Sequence, residues 1–146
     1  MEGSVEFEDG ISAVQNRAYG NSEIDGKWVR TDQSSTSATL GDGGVYSSID
    51  DLAKWDAALY DERLLKAASL HAAFTPKTST PEPDVPYYGY GWRINGDALW
   101  HSGETIGGRN VILRYPKEGL TVLILSNRNE PEPYATAKAI AALLRP

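Results

Sequence analysis

The segment HSGETIGG, residues 101–108, carries the side chains best suited to hydrolytic chemistry. A histidine next to a serine suggests a nucleophile and its general base. Neighbouring side chains in a strand point to opposite faces, however, so His101 and Ser102 are poorly placed to act on each other. No Asp or Glu is placed by the sequence to orient His101. Ser102 is therefore a poor candidate for a nucleophile, and the segment needs another interpretation.

The composition excludes several other kinds of chemistry. The chain has 146 residues, no cysteine and two histidines without a ligand-like spacing, so we expect no metal site and no cofactor. Its 14 basic and 20 acidic residues give a formal net charge of -6. That balance argues against nucleic acid and against anionic membrane surfaces as partners.

Residues 1–86 are predicted to form a loop-rich helical segment. Residues 31–44 are a long polar stretch, and loops of that length are usually functional or belong to a larger body. Helical spacing of apolar residues, after a serine and two aspartates, predicts a helix over 48–60, and a second, shorter one fits 67–74. A proline-rich run then predicts irregular structure and a domain boundary. Its prolines are Pro76, Pro81, Pro83 and Pro86.

Residues 87–146 are predicted to form an antiparallel sheet with a helix packed on it. Apolar and polar residues alternate over 88–94, which indicates a half-buried strand, and Asn95-Gly96 is a strong hairpin signal. The fold class is therefore α+β, a sheet meander with a C-terminal helix, preceded by the loop-rich helical segment. Further strands are expected at 98–101, 110–115 and 120–125, the last either central in the sheet or covered on both faces, and the helix at 134–144.

Four stretches occur in a fixed order: GDGGVYSSIDDLAKW (41–55), YGYGW (88–92), HSG with IGGRN (101–110) and LTVLILSNRN (120–129). Together they resemble the serine β-lactamase and penicillin-binding-protein superfamily, in particular its class C-like β-lactamase-related hydrolases. The resemblance covers nearly the whole chain and corresponds to the C-terminal portion of the family. It implies a partial β-lactamase/transpeptidase-like fold.

The resemblance implies that residues 101–103 are the family's third catalytic motif, which occurs as Lys-Thr-Gly, His-x-Gly or a related triplet. His101 is then catalytic, and the backbone N–H of Glu104 donates to the oxyanion that forms during acyl transfer. The substrate is then a small molecule or a peptide with an amide, ester or β-lactam bond, and the sequence does not choose among them. The substrate contacts assigned on this basis are Ser102, Gly103, Arg109 and Asn110.

The family's nucleophile motif, Ser-x-x-Lys, is absent from this sequence, because no lysine has a serine three positions before it. Tyr19-Gly20-Asn21 matches the family's Tyr-x-Asn motif literally. We reject that match because NRAYG (16–20) resembles a different, noncatalytic stretch, and Met1 aligns best with a segment that follows the true motif. We therefore expect the C-terminal part of a longer hydrolase, inactive alone.

The alternative is a noncatalytic binding module or a self-associating half-domain. Loss of the front half exposes a sheet edge and apolar surface, and both promote association. We therefore expect a homo-oligomer or a complex with a complementary N-terminal fragment. Localisation stays open, because any export signal would precede these residues.

Overall fold

Two small strand pairs and two helices precede a longer run of strands. The structure is a computed structural model that describes residues 1–6, 14–31 and 43–145. None of its helices is long and apolar enough to cross a bilayer. In chain order the elements are β1 (Val5–Glu6), β2 (Asn21–Ile24), β3 (Lys27–Arg30), β4 (Val45–Tyr46), α1 (Ile49–Ala57), α2 (Ala67–Ala73), β5 (Thr78–Glu82), β6 (Val85–Tyr88), β7 (Arg93–Asn95), β8 (Ala98–Thr105), β9 (Gly108–Tyr115), β10 (Leu120–Ser126) and α3 (Pro133–Leu144).

The last six strands form one antiparallel sheet in the order β10-β9-β8-β7-β6-β5. Strands that follow one another in the chain are also neighbours in the sheet, as in a meander. This arrangement confirms the predicted α+β class with an antiparallel sheet and a C-terminal helix. β10 contacts α3 and α1, so it is covered from two sides as predicted, although it lies at the edge of the sheet.

The helices form where the sequence predicts them. Ser48 caps α1, because its hydroxyl accepts a hydrogen bond from the backbone N–H of Asp51 at 3.2 Å. α1 continues into a 3₁₀ turn over Ala58–Tyr60, so the predicted helix over 48–60 is present in two parts. The predicted polar stretch over 31–44 lies mostly outside the described residues.

Two apolar clusters cover the two faces of the sheet. One joins β8, β9 and β10 to α3, and within it the rings of Trp100 and Tyr134 stack with centroids 3.6 Å apart. The other joins β7 and β8 to α1, α2 and the 3₁₀ turn, and it contains Trp92, Ile94 and Leu99. Alternation along β8 therefore sends successive side chains into different layers.

A buried ion pair ties α1 to the sheet. The guanidinium of Arg114, on β9, is fully buried and donates to the carboxylate of Asp56. Thr121 of β10 donates to the same carboxylate at 3.0 Å. The guanidinium also lies 5.0 to 5.5 Å from the ring centroids of Tyr60, Phe74 and Trp92. Asp56 and three aromatic rings thus surround a charge that has no access to water.

The proline-rich run contains two strands, which corrects the prediction of irregular structure there. β5 is an edge strand, and its pairing with β6 shifts register between Ser79 and Glu82. Edge strands and bulges are the places in a sheet that accept proline, because a ladder donor is not needed there. The boundary that we place after residue 86 falls within β6, and the division into 1–86 and 87–146 stays a prediction.

The single strand predicted over 88–94 is also wrong, because a bend separates β6 from β7. Gly89 approaches the end of α2 so closely that a Cβ would lie 2.3 Å from the carbonyl oxygen of Ala73. Gly91 then takes a φ of 78°, which is rare for other residues. Contact with α2 therefore interrupts a segment whose alternation alone predicts continuity.

The turns of the central hairpins lie slightly beyond their predicted positions. Asn95 pairs with Ala98, so the two-residue turn is Gly96-Asp97 instead of Asn95-Gly96. β8 continues to Thr105, four residues past its predicted end, and only Ile106 and Gly107 turn the chain. Gly103 and Glu104 consequently belong to a strand.

Candidate active site

The strand β8 has two different halves. Residues 98–100 pair with β7 on one side and with β9 on the other. The pairing of β8 with β7 stops at Trp100, whereas its pairing with β9 continues to Thr105. Within the described ranges, residues 101–105 therefore have one backbone edge without a strand partner. This segment carries the HSG triplet and Glu104.

A cavity of about 920 Å³ opens beside this segment. Residues 101–107 line it, and Trp55 of α1, Ser22 of β2 and Asn110 of β9 contribute other parts of its wall. Its volume is within the range of small-molecule sites, roughly 300 to 1,000 Å³. The predicted site residues His101, Ser102, Gly103, Glu104 and Asn110 are thus brought together at one cavity.

His101 is half-buried and hydrogen-bonded to a tyrosine. Its Nε2 lies 3.1 Å from the hydroxyl oxygen of Tyr88, and the two rings meet edge to face. Burial lowers the pKa of His101, the positive charge of Arg93 lowers it further, and a backbone hydrogen bond with Ser102 acts in the opposite direction. His101 is therefore neutral near pH 7.

Ser102 uses its hydroxyl for a different contact. Arg93 of β7 donates to the Ser102 Oγ, and its guanidinium lies 4.6 Å from the centroid of the Trp100 ring. The serine hydroxyl is thus bound to a cation and not to the His101 ring. This placement agrees with the sequence argument that Ser102 and His101 do not form a nucleophile and base.

Gly103 and Gly107 have opposite surroundings. A Cβ on Gly103 would meet no atom within 4 Å, so the backbone there borders open space. A Cβ on Gly107 would lie 2.6 to 2.7 Å from backbone atoms of Gly20 and Asn21. The absence of a side chain at Gly107 therefore permits the β2–β3 hairpin to dock on the turn after β8. At this contact the Gly107 carbonyl accepts a hydrogen bond from the Asn21 N–H at 3.1 Å.

Arg109 and Asn110 lie in different surroundings, although the sequence assigns both to substrate contact. Asn110 lines the cavity, and its Oδ1 accepts from the Ser126 backbone N–H at 3.1 Å. Arg109 is not among the lining residues, and its guanidinium donates to Glu104 at 2.7 Å with Glu130 3.6 Å away. The structure thus gives Arg109 an ion-pair role, and its contact with substrate stays a prediction.

The second histidine lies apart from this site. His71 is exposed on α2 and is not among the cavity-lining residues. In the part of the chain that the structure describes, no three metal-ligating side chains come together. The Asn21 of the rejected Tyr-x-Asn match has a structural use, since its side-chain amide donates to the Tyr19 carbonyl at 3.0 Å.

Two residues that contact the HSG triplet were not assigned to the site from the sequence. Tyr87, Tyr88 and Tyr90 could line a substrate cleft, but packing is the better explanation of this run, and nothing in the sequence distinguishes Tyr88 from the other two. Arg93 occupies a polar position in an apparent alternation, which usually indicates a solvent-facing side chain. Tyr88 is the last residue of β6 and Arg93 is the first residue of β7. Both contact β8 only because these strand ends lie beside it in the folded sheet.

An antiparallel sheet with helices on both faces and an HSG-bearing strand at a cavity is the arrangement expected of a β-lactamase-type hydrolase fold. The family model described as Beta-lactamase matches residues 5–145, and the chain belongs to that family. The resemblance stated from the sequence is thereby confirmed.

Two relatives have names that refer to penicillin binding. Penicillin-binding protein 4* of Bacillus subtilis (strain 168) is 34% identical over 107 residues, which are 70% of this chain and 24% of that protein. The crystal structure of a penicillin-binding protein from Bacillus halodurans matches with a TM-score of 0.77 and 25% identity, over 98% of this chain and 44% of that one. The chain thus spans less than half the length of either relative.

Proposed function

We propose that this chain forms the oxyanion and substrate-binding wall of a serine hydrolase that acts through an acyl-enzyme. Membership of the Beta-lactamase family supports serine hydrolase chemistry in general. The observation that carries the finer proposal is the edge of residues 101–105, which has no strand partner in the described part of the chain and lies at a cavity of about 920 Å³. An extended acyl group or peptide can add to such an edge through main-chain hydrogen bonds.

Each residue of the triplet then has a distinct role. The Glu104 N–H donates to the oxyanion, a contribution of roughly 3 to 4 kcal/mol to the barrier in other acyl-transfer enzymes. Gly103 leaves space for the substrate beside the backbone, because a side chain there would point into open volume. His101 presents a neutral, hydrogen-bonded ring to the cavity. We propose no metal or cofactor for this reaction.

The attacking group is proposed to come from outside these 146 residues. No Ser-x-x-Lys motif is present in the sequence, and Ser102 is bound to Arg93. A serine without an activating base is a weak nucleophile. We therefore expect this chain alone to bind a substrate without forming an acyl-enzyme.

Intact-mass analysis after incubation with a fluorescent penicillin or a nitrophenyl ester tests the expected lack of acylation. We expect no covalent adduct. A stoichiometric adduct on any serine of this chain would contradict the proposal. A catalytically competent penicillin-binding protein, run in parallel, serves as the positive control for the reagents.

Amide NMR tests the binding wall itself. We expect benzylpenicillin or a peptide ending in D-alanyl-D-alanine to shift the amide signals of residues 101–105, Glu104 among them. Gly103→Leu fills the open space and should abolish these shifts. Ser79→Leu adds the same bulk at an exposed position on β5 and should leave them unchanged. Shifts confined to other regions would overturn the assignment of the wall.

A second candidate function, self-association or capture of a complementary chain, is favoured by the edge strand β10. Its seven residues contain neither proline nor a charged residue, which are the usual protections of an exposed edge. Leu143 and Leu144 of the neighbouring α3 are 85% and 65% exposed. A partner that adds a strand to β10 and covers these leucines would bury both features.

Light scattering coupled to size-exclusion chromatography tests this candidate. We expect a dimer or larger species, because association would cover the β10 edge and the exposed Leu143 and Leu144 of α3. Leu125→Lys places a charge on the edge strand and should give a monomer, whereas Leu65→Lys, at a comparably exposed site, should not. A monomeric wild-type chain with a cooperative melt would rule out self-association.

A further inference from the structure

Tyr88 and Arg93 are directly paired residues of β6 and β7, and each binds one of two consecutive residues of β8. Tyr88 contacts His101, and Arg93 contacts Ser102. These are the first two residues of β8 beyond the end of β7. Side-chain hydrogen bonds thus hold residues 101–102 at the point where the backbone ladder between β7 and β8 stops.

The contact between Tyr88 and His101 has the geometry of an orienting hydrogen bond. The Oη and Nε2 atoms are 3.1 Å apart, and the ring centroids are 6.2 Å apart with an interplanar angle of 71°. Edge-to-face aromatic contact and a hydrogen bond at the same pair restrict both the position and the rotation of the imidazole. Tyr88 is half-buried.

The tautomer of the His101 ring determines whether His101 or Tyr88 donates the hydrogen bond between them. A neutral imidazole has one N–H and one acceptor nitrogen, and the partner of each nitrogen decides the tautomer. The contact with Tyr88 is made by Nε2, and a phenol O–H is a stronger hydrogen-bond donor than the N–H of a neutral imidazole. Nε2 is therefore the acceptor for the Tyr88 O–H, and Nδ1 carries the hydrogen.

We propose that Tyr88 is a positioning residue that holds the His101 ring at the cavity wall and fixes its Nδ1–H tautomer. The consequence for catalysis rests on the function proposed above. With Nε2 accepting from Tyr88 and Nδ1 carrying the hydrogen, His101 orients the wall and does not take the proton from the attacking group. Tyr88 is thereby assigned a role at a site whose cavity it does not itself line.

Long-range ¹H–¹⁵N NMR of the wild-type chain tests the tautomer directly. The chain has two histidines, and exposed His71 provides an internal reference for the ordinary tautomer ratio. We expect His101 to be Nδ1–H, with unprotonated Nε2. The Nε2–H form at His101, or a ratio equal to that of His71, would overturn the proposal without any need for a variant.

Tyr88→Phe tests the cause, and Tyr87→Phe is the matched control because Tyr87 is a neighbouring exposed tyrosine. We expect Tyr88→Phe to change the His101 tautomer ratio about fivefold, which corresponds to about 1 kcal/mol for one hydrogen bond. Tyr87→Phe should leave the ratio unchanged. An unchanged ratio in folded Tyr88→Phe would refute the role. None of these measurements requires turnover, so failure of the proposed hydrolase function would be seen separately.

Discussion

The two halves of β8 have the same backbone conformation but different surroundings. Residues 98–100 are paired on both edges and are buried in two apolar clusters. Among the described residues, 101–105 have one strand neighbour fewer, because β7 begins at Arg93, which pairs with Trp100, and they border the cavity. The comparison shows that a site can arise where a short strand stops beside a longer one. The continuous half supplies stability, and the extended half supplies a binding edge.

Substitution in the paired half should have the largest effect. Trp100→Ala removes a ring stacked on Tyr134, and we expect a loss of about 3 to 5 kcal/mol in the free energy of unfolding. His101→Ala, one residue further, should cost only about 1 kcal/mol, because it removes one hydrogen bond at a half-buried side chain. Urea denaturation of both variants measures the difference. Equal losses would mean that the two halves of β8 do not differ in their contribution to stability.

The two glycines that flank the site give a second, smaller contrast. Gly107→Ala places a Cβ against the backbone of Gly20 at a φ of 77°, and we expect a loss of about 1 to 3 kcal/mol. Gly103→Ala meets no atom within 4 Å and should change stability by no more than about 0.5 kcal/mol. Thermal melts of the two variants check this order. A strongly destabilised Gly103→Ala would show that the space beside β8 is filled.

The smallest expected effect is on the pH dependence of stability. His101 has a folded-state pKa below its unfolded value of about 6.5, so its contribution is fully present above pH 6.5. That contribution decreases as the pH falls from 6.5 towards the lower folded-state pKa, because the unfolded chain binds the proton more readily. Urea midpoints at pH 7.5 and 5.5 should therefore differ less in His101→Ala than in wild type.

His71→Ala is the control for this measurement. Its side chain is exposed, so its removal should leave the difference between the two pH values as it is in wild type. The comparison of variants cancels the carboxylates, which titrate in every chain. An identical pH dependence in wild type and His101→Ala would contradict the prediction, because it would mean that folding does not change the solvation of the His101 ring.

Acidic conditions also bear on the segment in front of the sheet. Burial raises the pKa of Asp51, but hydrogen bonds from Gly3, Ser4, Lys54 and Glu2 outweigh it and hold the pKa well below its usual range. This carboxylate fastens the N-terminal residues to α1. The stability that it contributes is present above its ordinary titration range and is lost progressively as the pH falls from the unfolded pKa of about 4 towards the lower folded-state pKa. Its titration is therefore distinct from that of His101.

Local patterns predicted the elements well where short-range physics decides them. A serine cap and helical spacing predict α1, and the apolar run after Gly119 predicts β10. The same patterns failed over 76–94, where prolines lie in an edge strand and contact with α2 bends the chain. Edge position and contact between distant elements are properties of the assembled sheet, so no local window contains them.

Arg114 illustrates the same limit for a charged side chain. A charged residue in a strand usually indicates a solvent-facing side chain. Arg114 of β9 is nevertheless fully buried against Asp56 and three aromatic rings. Asp56, in turn, belongs to a helix 58 residues earlier in the chain. Burial of an ion pair depends on both partners arriving at one place, which neither neighbourhood encodes alone.

The order of motifs in the sequence was sufficient to place the chain in its family and to choose the HSG strand as the candidate site. The order of motifs can be read along the chain without any knowledge of the fold. The tertiary structure alone decided that β7 stops one residue before His101, that Tyr88 and Arg93 hold the triplet, and that Asn110 borders the cavity while Arg109 pairs with Glu104. These outcomes depend on where strands end relative to one another, a relation between segments that meet only after folding.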